Sequence, residues 1–227
     1  TRIFMPRYGL INERRHQLHE VIRLSGMNLV INDMDMPLII KVASIPKERM
    51  QVYFIDNEEY FKRRAILHDE KGNCFKDNDE RMIFFTKGVV ETVKKLNWVP
   101  DVIHLHGWFT ALFPLYLKTY FGDEPLFADS KIISSIYESN FEGVFSEKFQ
   151  EKVTFDKIDE KLSEVLKTAN YEALTKLAIA HSDGLIMASE NIPDDLIEEI
   201  KKSNKPHLNF DESKDEDVYI KFYSKKF

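Results

Sequence analysis

Short apolar runs of four to seven residues alternate along the chain with longer segments in which apolar positions recur every three or four residues. The runs have the length and composition of buried strands. They lie at residues 2–6, 27–31, 37–43, 51–55, 101–104, 131–136 and 184–188. The polar residues 32–35 between two of these runs predict a β-hairpin.

The helical periodicity is clearest over residues 77–96. Asp77 or Asn78 can cap this helix, and Asp79 and Glu80 place negative charge in its first turn. Its apolar face is formed by Met82, Phe85, Val89, Val93 and Leu96.

Further helices are predicted after residue 105 to about 121, over 156–180, and from Pro193 to about 202. The helix at 156–180 is predicted from one apolar register, formed by Ile158, Leu162, Val165, Ala169, Ala173 and Leu177.

This alternation of strands and helices predicts an α/β fold with a mainly parallel sheet covered on both faces. We expect a single domain over residues 1–202 and a charged C-terminal tail over 203–227, since 211–217 reads DESKDED. Ligands of such sheets bind beyond the carboxyl ends of the strands. Residues 106–108 and 137–140 follow two predicted strands and therefore occupy such positions.

Composition narrows the possible functions. The formal charge is −6 without a basic stripe, so neither nucleic acid nor an anionic membrane is an expected partner. The single cysteine, Cys74, excludes an internal disulfide and fits a cytoplasmic protein. The chain has only eight glycines and contains neither G-x-G-x-x-G nor G-x-x-x-x-G-K-[ST].

The stretch HLHGW at residues 104–108 holds the candidate chemistry. His104 and His106 would share one face of a strand, but a metal site needs at least a third ligand. A hydrogen-bonded core role for at least one of them is favoured. Trp108 is interpreted either as packing or as a flat face for a sugar ring or a base. Cys74 lies in a polar loop without an evident base, which disfavours thiol catalysis.

Residues 98–108 read WVPDVIHLHGW, and residues 77–81 read DNDER. The first segment is similar to the w-x-P-D-[VI]-[IV]-H-x-H-D-W stretch, and the second to the D-N-x-x-R-F helix start, of bacterial glycogen synthases and plant starch synthases. Similarity extends to residues 6–8, to 52–56 with 60–63, to 110–118 and to 180–189.

The resemblance implies the N-terminal, acceptor-side half of a GT-B glycosyltransferase, with a Rossmann-like three-layer domain and a β-hairpin excursion. The family's first strand and its K-x-G-G-L loop would precede Thr1, and its donor domain would follow residue 200. Family members transfer glucose from ADP-glucose or UDP-glucose to an α-1,4-glucan without a metal or other cofactor. The substrate-binding residues implied here are Asp77, Asn78, Arg81, His106, Trp108, Tyr137 and Asn140.

The chain departs from the family pattern at three polar positions of the cleft. Gly107 stands in place of an aspartate, Tyr137 in place of a histidine, and Glu138 in place of an asparagine. No catalytic residue is therefore assigned, and we expect impaired transfer.

Three functions follow from these observations. The first is a degenerate synthase-like protein that binds glucan or another protein of glycogen metabolism. The second is the acceptor-domain subunit of an active synthase completed by another chain. The third, a generic nucleotide-binding α/β domain, is disfavoured by the shortage of glycine.

Overall fold

A computed structural model gives the structure of the protein and describes residues 1–45, 47–138 and 141–224. Contacts divide the chain into two compact units, Thr1–Trp98 and Val99–Phe227, and each is described by itself. Within the described segments, no helix combines the length and the apolar character that crossing a bilayer requires.

Unit 1 is built on a mixed sheet. Its described elements are β1 (Arg2–Pro6), β2 (His19–Glu20), β3 (Met27–Ile31), β4 (Met34–Ile45), β5 (Met50–Asp56), α1 (Glu58–Phe61) and α2 (Asn78–Lys95). The strand order is β1-β5-β4-β2, and β3 pairs with β4. β1 and β5 are parallel, whereas β4 runs antiparallel to each of its partners.

The predicted β-hairpin is present as β3 and β4. Ile31 pairs with Met34, so the turn consists of Asn32 and Asp33 alone and is two residues shorter than the polar stretch suggested. Both turn residues have positive φ angles, 45° and 68°. Asn and Asp tolerate this left-handed conformation, which two-residue hairpins of the favoured hand require.

Helix α2 confirms the predicted 77–96 helix but is buried over most of its circumference. Ile83, Phe84 and Val90 are as buried as Met82 on the predicted face. Gly88 allows the helix to approach the sheet, because a Cβ there would lie 2.8 Å from Ile55 Cγ2. A helix this buried needs a residue without a side chain at its closest contact.

Unit 2 is built on a parallel sheet. Its described elements are β6 (Val102–His106), α3 (Leu112–Lys118), β7 (Lys131–Ile136), α4 (Phe149–Phe155), α5 (Tyr171–His181), β8 (Gly184–Met187), α6 (Asp194–Lys202), β9 (His207–Leu208) and α7 (Glu216–Ser224), with 3-10 turns at Trp108–Thr110, Pro125–Phe127, Glu164–Thr168 and Glu212–Lys214. The strand order is β6-β7-β8-β9, and every pairing among them is parallel. The α/β class with a parallel sheet is therefore confirmed.

The long helix predicted at 156–180 is wrong. Lys157 adopts a positive φ angle of 62°, which interrupts any helix from α4 onward. α5 begins only at Tyr171, where Asn170 Oδ1 accepts a hydrogen bond of 2.8 Å from the Ala173 amide and caps the helix. Leu162 and Val165 of the predicted apolar face are exposed. An apolar spacing can thus arise in a loop that buries only some of its side chains.

The C-terminal segment contains more structure than the charged tail predicted over 203–227. Residues 211–212 and 214–217 are exposed, as their charge suggests. β9, however, extends the parallel sheet, and α7 places Phe222 in a cluster with Ile133, Ile186 and Leu208. The aromatic residues that follow the charged run provide the apolar face that this helix needs.

Candidate functional site

A cleft of about 240 Å³ opens at the carboxyl edge of the parallel sheet of unit 2. The parallel register places the ends of β6 and β7 side by side, with His106 paired to Ser135. The residues that line the cleft come mainly from these strand ends and from α5. They include His106, Gly107, Trp108, Ser135, Tyr137, Glu138 and Tyr171. His106, Trp108 and Tyr137, predicted from the sequence as site residues, are thus brought together.

His104 and His106 share one face of β6, as the alternation of a strand requires, and their ring centroids are 4.1 Å apart. The Nε2 atom of His104 lies 2.7 Å from Ser135 Oγ, and its Nδ1 atom lies 2.7 Å from the Tyr223 hydroxyl. Both ring nitrogens are therefore engaged by hydroxyl groups. This agrees with the interpretation of His104 as a hydrogen-bonded core residue.

Burial keeps both histidines neutral near pH 7. It lowers the pKa of His104 from 6.5 to about 3, and the adjacent His106 contributes to this shift. Burial also lowers the pKa of His106. Among the described residues, no three histidine, cysteine, aspartate or glutamate side chains gather closely enough to hold a metal ion.

Trp108 forms the floor of the cleft rather than an open platform. It is 6% exposed, and its ring centroid lies 4.5 Å from that of Phe141 and 5.3 Å from that of Phe145. Of the two interpretations of Trp108, packing describes most of its surface.

Tyr137 is the aromatic residue that the cleft leaves accessible, with 37% of its surface exposed. Its hydroxyl lies 2.8 Å from His106 Nδ1, and its backbone carbonyl accepts a hydrogen bond from the Tyr171 hydroxyl. Burial raises the pKa of Tyr137, so the phenol stays protonated at neutral pH. The next residue, Glu138, is exposed and accepts a hydrogen bond of 3.2 Å from Asn191 Nδ2.

Gly107 has a backbone conformation that favours glycine, with φ 72° and ψ 176°. Its amide donates a hydrogen bond of 3.1 Å to the Ser135 carbonyl, and its own carbonyl accepts one of 2.9 Å from Thr110 Oγ1. These bonds turn the chain sharply from β6 into the 3-10 turn that carries Trp108. The position at which the family resemblance implies an aspartate therefore lies in a turn that favours glycine.

Asp77, Asn78 and Arg81 lie in unit 1, where their described contacts hold the loop that precedes α2. Asp77 forms a bidentate ion pair with Arg63. Asn78 Nδ2 donates to the Leu67 carbonyl at 3.0 Å. Asp77 is the N-cap residue of α2 but makes no side-chain hydrogen bond to the amides of the first turn. Neither predicted cap residue therefore caps α2 with its side chain.

Arg81 is fully buried at the centre of this arrangement. It donates to Asn78 Oδ1 and to the Ile66 carbonyl, and its guanidinium lies 5.2 Å from the ring centroid of Phe61. Burial lowers the pKa of Arg81 to about 10. Asn140, the last predicted site residue, lies outside the described residues.

Three residues near the cleft were not predicted from the sequence as site residues. Ser135 and Tyr171 line it, and Tyr223 contacts His104 from α7. The alternation of β7 indicates that Ser135 points to the same face as Tyr137. Tyr223 lay in a segment interpreted as a tail, so nothing in the local pattern pointed to it.

The parallel sheet and the cleft beyond its strand ends define a Rossmann-like α/β domain, a fold whose ligands generally bind at the carboxyl edge of the sheet. Starch synthase catalytic domains match the chain over residues 1–208. The chain therefore belongs to the starch synthase catalytic domain family, and the resemblance inferred from the sequence is confirmed.

Curated relatives and a solved structure agree with this assignment. The chain is 34% identical over 198 residues to glycogen synthase of Chlorobium limicola, and that alignment covers 87% of this chain and 40% of the relative. It is 40% identical over 159 residues to glycogen synthase of Chlorobium chlorochromatii, covering 70% and 32%. The chain thus spans about 40% or less of the length of these relatives.

The catalytic domain of starch synthase IV from Arabidopsis thaliana, solved bound to ADP and acarbose, has a similar structure. The TM-score is 0.71 at 16% sequence identity, covering 92% of this chain and 43% of that chain. At this identity the likeness shows the fold, and it confirms the predicted glycosyltransferase architecture.

Proposed function

We propose that the chain acts in α-glucan metabolism as a catalytically impaired glycogen synthase-like protein and that its unit 2 cleft binds an α-1,4-glucan. Family membership and the glycogen synthases among its relatives support this proposal. The observation that carries it is the partly exposed Tyr137 ring, which stands beside His106 and Glu138 at the ligand edge of the sheet.

These three side chains suit a sugar. The face of a phenol ring packs against the apolar C–H face of a pyranose, while a histidine and a carboxylate bond its hydroxyls. Glu138 is exposed and carries negative charge, which disfavours a phosphate in the same position. The cleft therefore fits a neutral glucan better than the diphosphate of a nucleotide sugar.

Glucose transfer by this chain alone is expected to be weak. Transfer needs groups that stabilise the leaving diphosphate, and removing one pre-organised polar group typically costs about 10²–10³ in rate. Gly107, Tyr137 and Glu138 replace three polar family residues at this edge. The proposed role is therefore binding. The proposal includes no cofactor, and it places the protein in the cytoplasm.

A second candidate role is that of the acceptor-domain subunit of an active glycogen synthase, completed by another chain that carries the donor domain. The glycogen synthases among the relatives favour this alternative. ADP-glucose or UDP-glucose would then be the donor.

Binding of maltoheptaose and retention on a glycogen gel test the main proposal. Tyr137→Ala should weaken maltoheptaose binding about tenfold, the equivalent of losing one aromatic contact. Phe155→Ala, which removes an exposed ring of unit 2 that does not line the cleft, is the matched control. Equal affinity of wild type and Tyr137→Ala would refute a glucan site at this cleft.

Incorporation of labelled glucose into glycogen separates the two roles. The binding role predicts no incorporation from ADP-glucose or UDP-glucose under any pairing. The acceptor role predicts incorporation once a protein that carries a donor domain is added. Glucan binding without incorporation in either case would leave the binding role standing and exclude the second one.

A further inference from the structure

A continuous row of aromatic and imidazole rings leads from the cleft along one face of the unit 2 sheet to α7. The centroid of the Tyr137 ring lies 6.2 Å from that of His106, and the His106 centroid lies 4.1 Å from that of His104. On the other side of His104 lie the rings of Tyr219, at 6.2 Å, and Tyr223, at 5.7 Å. We call these five residues the ring row, and all of them belong to unit 2.

The periods of the strand and of the helix bring the ring row together. His104 and His106 are two residues apart in β6 and therefore share one face of the sheet, against which α7 packs. Tyr219 and Tyr223 are four residues apart in α7 and therefore share one face of the helix. The family match ends at residue 208, so these two rings come from outside the matched segment.

The centre of the ring row is engaged within the protein, whereas its two ends are accessible. His104 Nδ1 lies 2.7 Å from the Tyr223 hydroxyl, and His104 Nε2 lies 2.7 Å from Ser135 Oγ. Tyr137, at the cleft end, is 37% exposed. Tyr219, at the other end, is partly buried, and its hydroxyl makes no hydrogen bond within the described part of the chain and is open to solvent.

The ring row is chemically suited to a neutral sugar chain. Burial lowers the pKa of His104 and of His106, so both imidazoles are uncharged at neutral pH. Burial also raises the pKa of Tyr223 to about 12, so this phenol keeps its proton. Flat, uncharged rings with polar edges match the apolar face and the hydroxyls of a pyranose, and they provide no cation for a phosphate.

A glucan is longer than the cleft can hold. The volume of the cleft is about 240 Å³, below the ~300–1,000 Å³ of sites that enclose a single small ligand, so most of an oligosaccharide has to lie outside it. We propose that the glucan continues from the cleft along the ring row and that Tyr219 forms a second sugar-binding position on α7. The identification of the ligand as a glucan rests on the proposed function. A site built in this way prefers longer chains.

Calorimetric titration with maltotriose and maltoheptaose tests this proposal. The wild type should bind maltoheptaose at least about threefold more tightly than maltotriose. Tyr219→Ala should weaken maltoheptaose binding about three- to tenfold, the equivalent of one aromatic contact, and should leave maltotriose binding unchanged. Tyr219→Phe keeps the ring and should restore most of the affinity. Equal affinities of the wild type and Tyr219→Ala for maltoheptaose would overturn the proposal.

Tyr120→Ala is the matched control. Tyr120 is another tyrosine of unit 2, 46% exposed, that belongs neither to the cleft nor to the ring row. Its removal should leave both affinities unchanged, and a loss equal to that of Tyr219→Ala would contradict a specific contact at α7.

A measurement on the wild type covers the case in which Tyr219→Ala does not fold. In NMR spectra of the protein with ¹³C-labelled tyrosine rings, maltoheptaose should shift the resonances of Tyr219, whereas maltotriose should shift those of Tyr137 alone. Tyr219 resonances that maltoheptaose leaves in place would likewise refute the second sugar-binding position.

The two oligosaccharides also distinguish this proposal from the function on which it rests. Binding of both that is weakened by Tyr137→Ala but not by Tyr219→Ala would leave the glucan site in the cleft standing and exclude its extension to α7. Failure of the wild type to bind either oligosaccharide would refute the proposed function itself, and the extension with it.

Discussion

Acidification should destabilise unit 2 through a single neutral histidine. The pKa of His104 is about 3 in the folded protein, against 6.5 for an ordinary histidine, because burial and the neighbouring His106 oppose its charge. In the unfolded chain the ring regains its ordinary pKa. Between pH 6.5 and 3 the unfolded chain therefore binds a proton that the folded protein does not, and stability falls as the pH falls through this window.

The magnitude follows from the two pKa values. Between pH 7 and pH 5 the folded His104 remains neutral, while the unfolded ring changes from mostly neutral to almost fully protonated. Integration of the proton uptake gives a loss of about 2 kcal/mol of unfolding free energy for this one residue. With a urea m value of about 2 kcal/mol/M, the transition midpoint should fall by about 1 M.

The assay compares the wild-type histidine with His104→Gln, which cannot titrate. Both proteins carry Trp98→Phe, so that the fluorescence of Trp108 reports on unit 2 alone. His106 and His181, whose pKa values are also lowered, are present in both and cancel. Urea unfolding at pH 7, 6 and 5 should show the wild type losing about 2 kcal/mol more than the variant. Parallel pH profiles for the two proteins would refute the assignment of a depressed pKa to His104.

Three further substitutions test the packing described above, with urea or thermal unfolding as the measurement in each case. Lys205→Met should lower the free energy of unfolding by about 1–2 kcal/mol, because Lys205 Nζ donates to the carbonyls of Ile179, Ala180 and Ser182 at 2.6–2.7 Å. Lys202→Met, at an exposed lysine, is the control. Gly107→Asp, which introduces the residue that the family resemblance implies, should lower the free energy of unfolding by about 1–3 kcal/mol, since the φ of 72° with ψ of 176° at this position favours glycine. An unchanged midpoint would show that the turn adapts. Gly88→Ala should cost about 1–3 kcal/mol by driving a methyl group against Ile55, and a stabilised variant would contradict the close approach of α2 to the sheet.

Much of the fold could be predicted from the sequence because its strands and its longest helix have strong local patterns. β7 and α2 lie within one residue of their predicted bounds, since β7 is a short run rich in isoleucine and α2 follows a single helical register of apolar residues. The segment 156–180 could not be predicted in this way. Its apolar spacing is helical, but the left-handed Lys157 and the Asn170 cap restrict the helix to its second half.

The candidate site was only partly predictable, because some of its contacts join residues that are far apart in the sequence. His106 and Tyr137 could be found because parallel strands bring their carboxyl ends to one edge of the sheet. Trp108 could be located but not interpreted, since its burial depends on Phe141 and Phe145, more than 30 residues further along the chain. The contact of Tyr223 with His104 spans 119 residues and leaves no local pattern.

The position of Phe222 in the core determines where the polypeptide of unit 2 can be truncated without exposing the core. The family match ends at residue 208, yet Phe222 is 1% exposed and packs against Ile133 and Ile186 on the central strands. A polypeptide ended at the family boundary would leave this apolar patch open to water, and such patches drive self-association. The folding boundary of the unit therefore lies beyond its homology boundary, at the end of α7 or later.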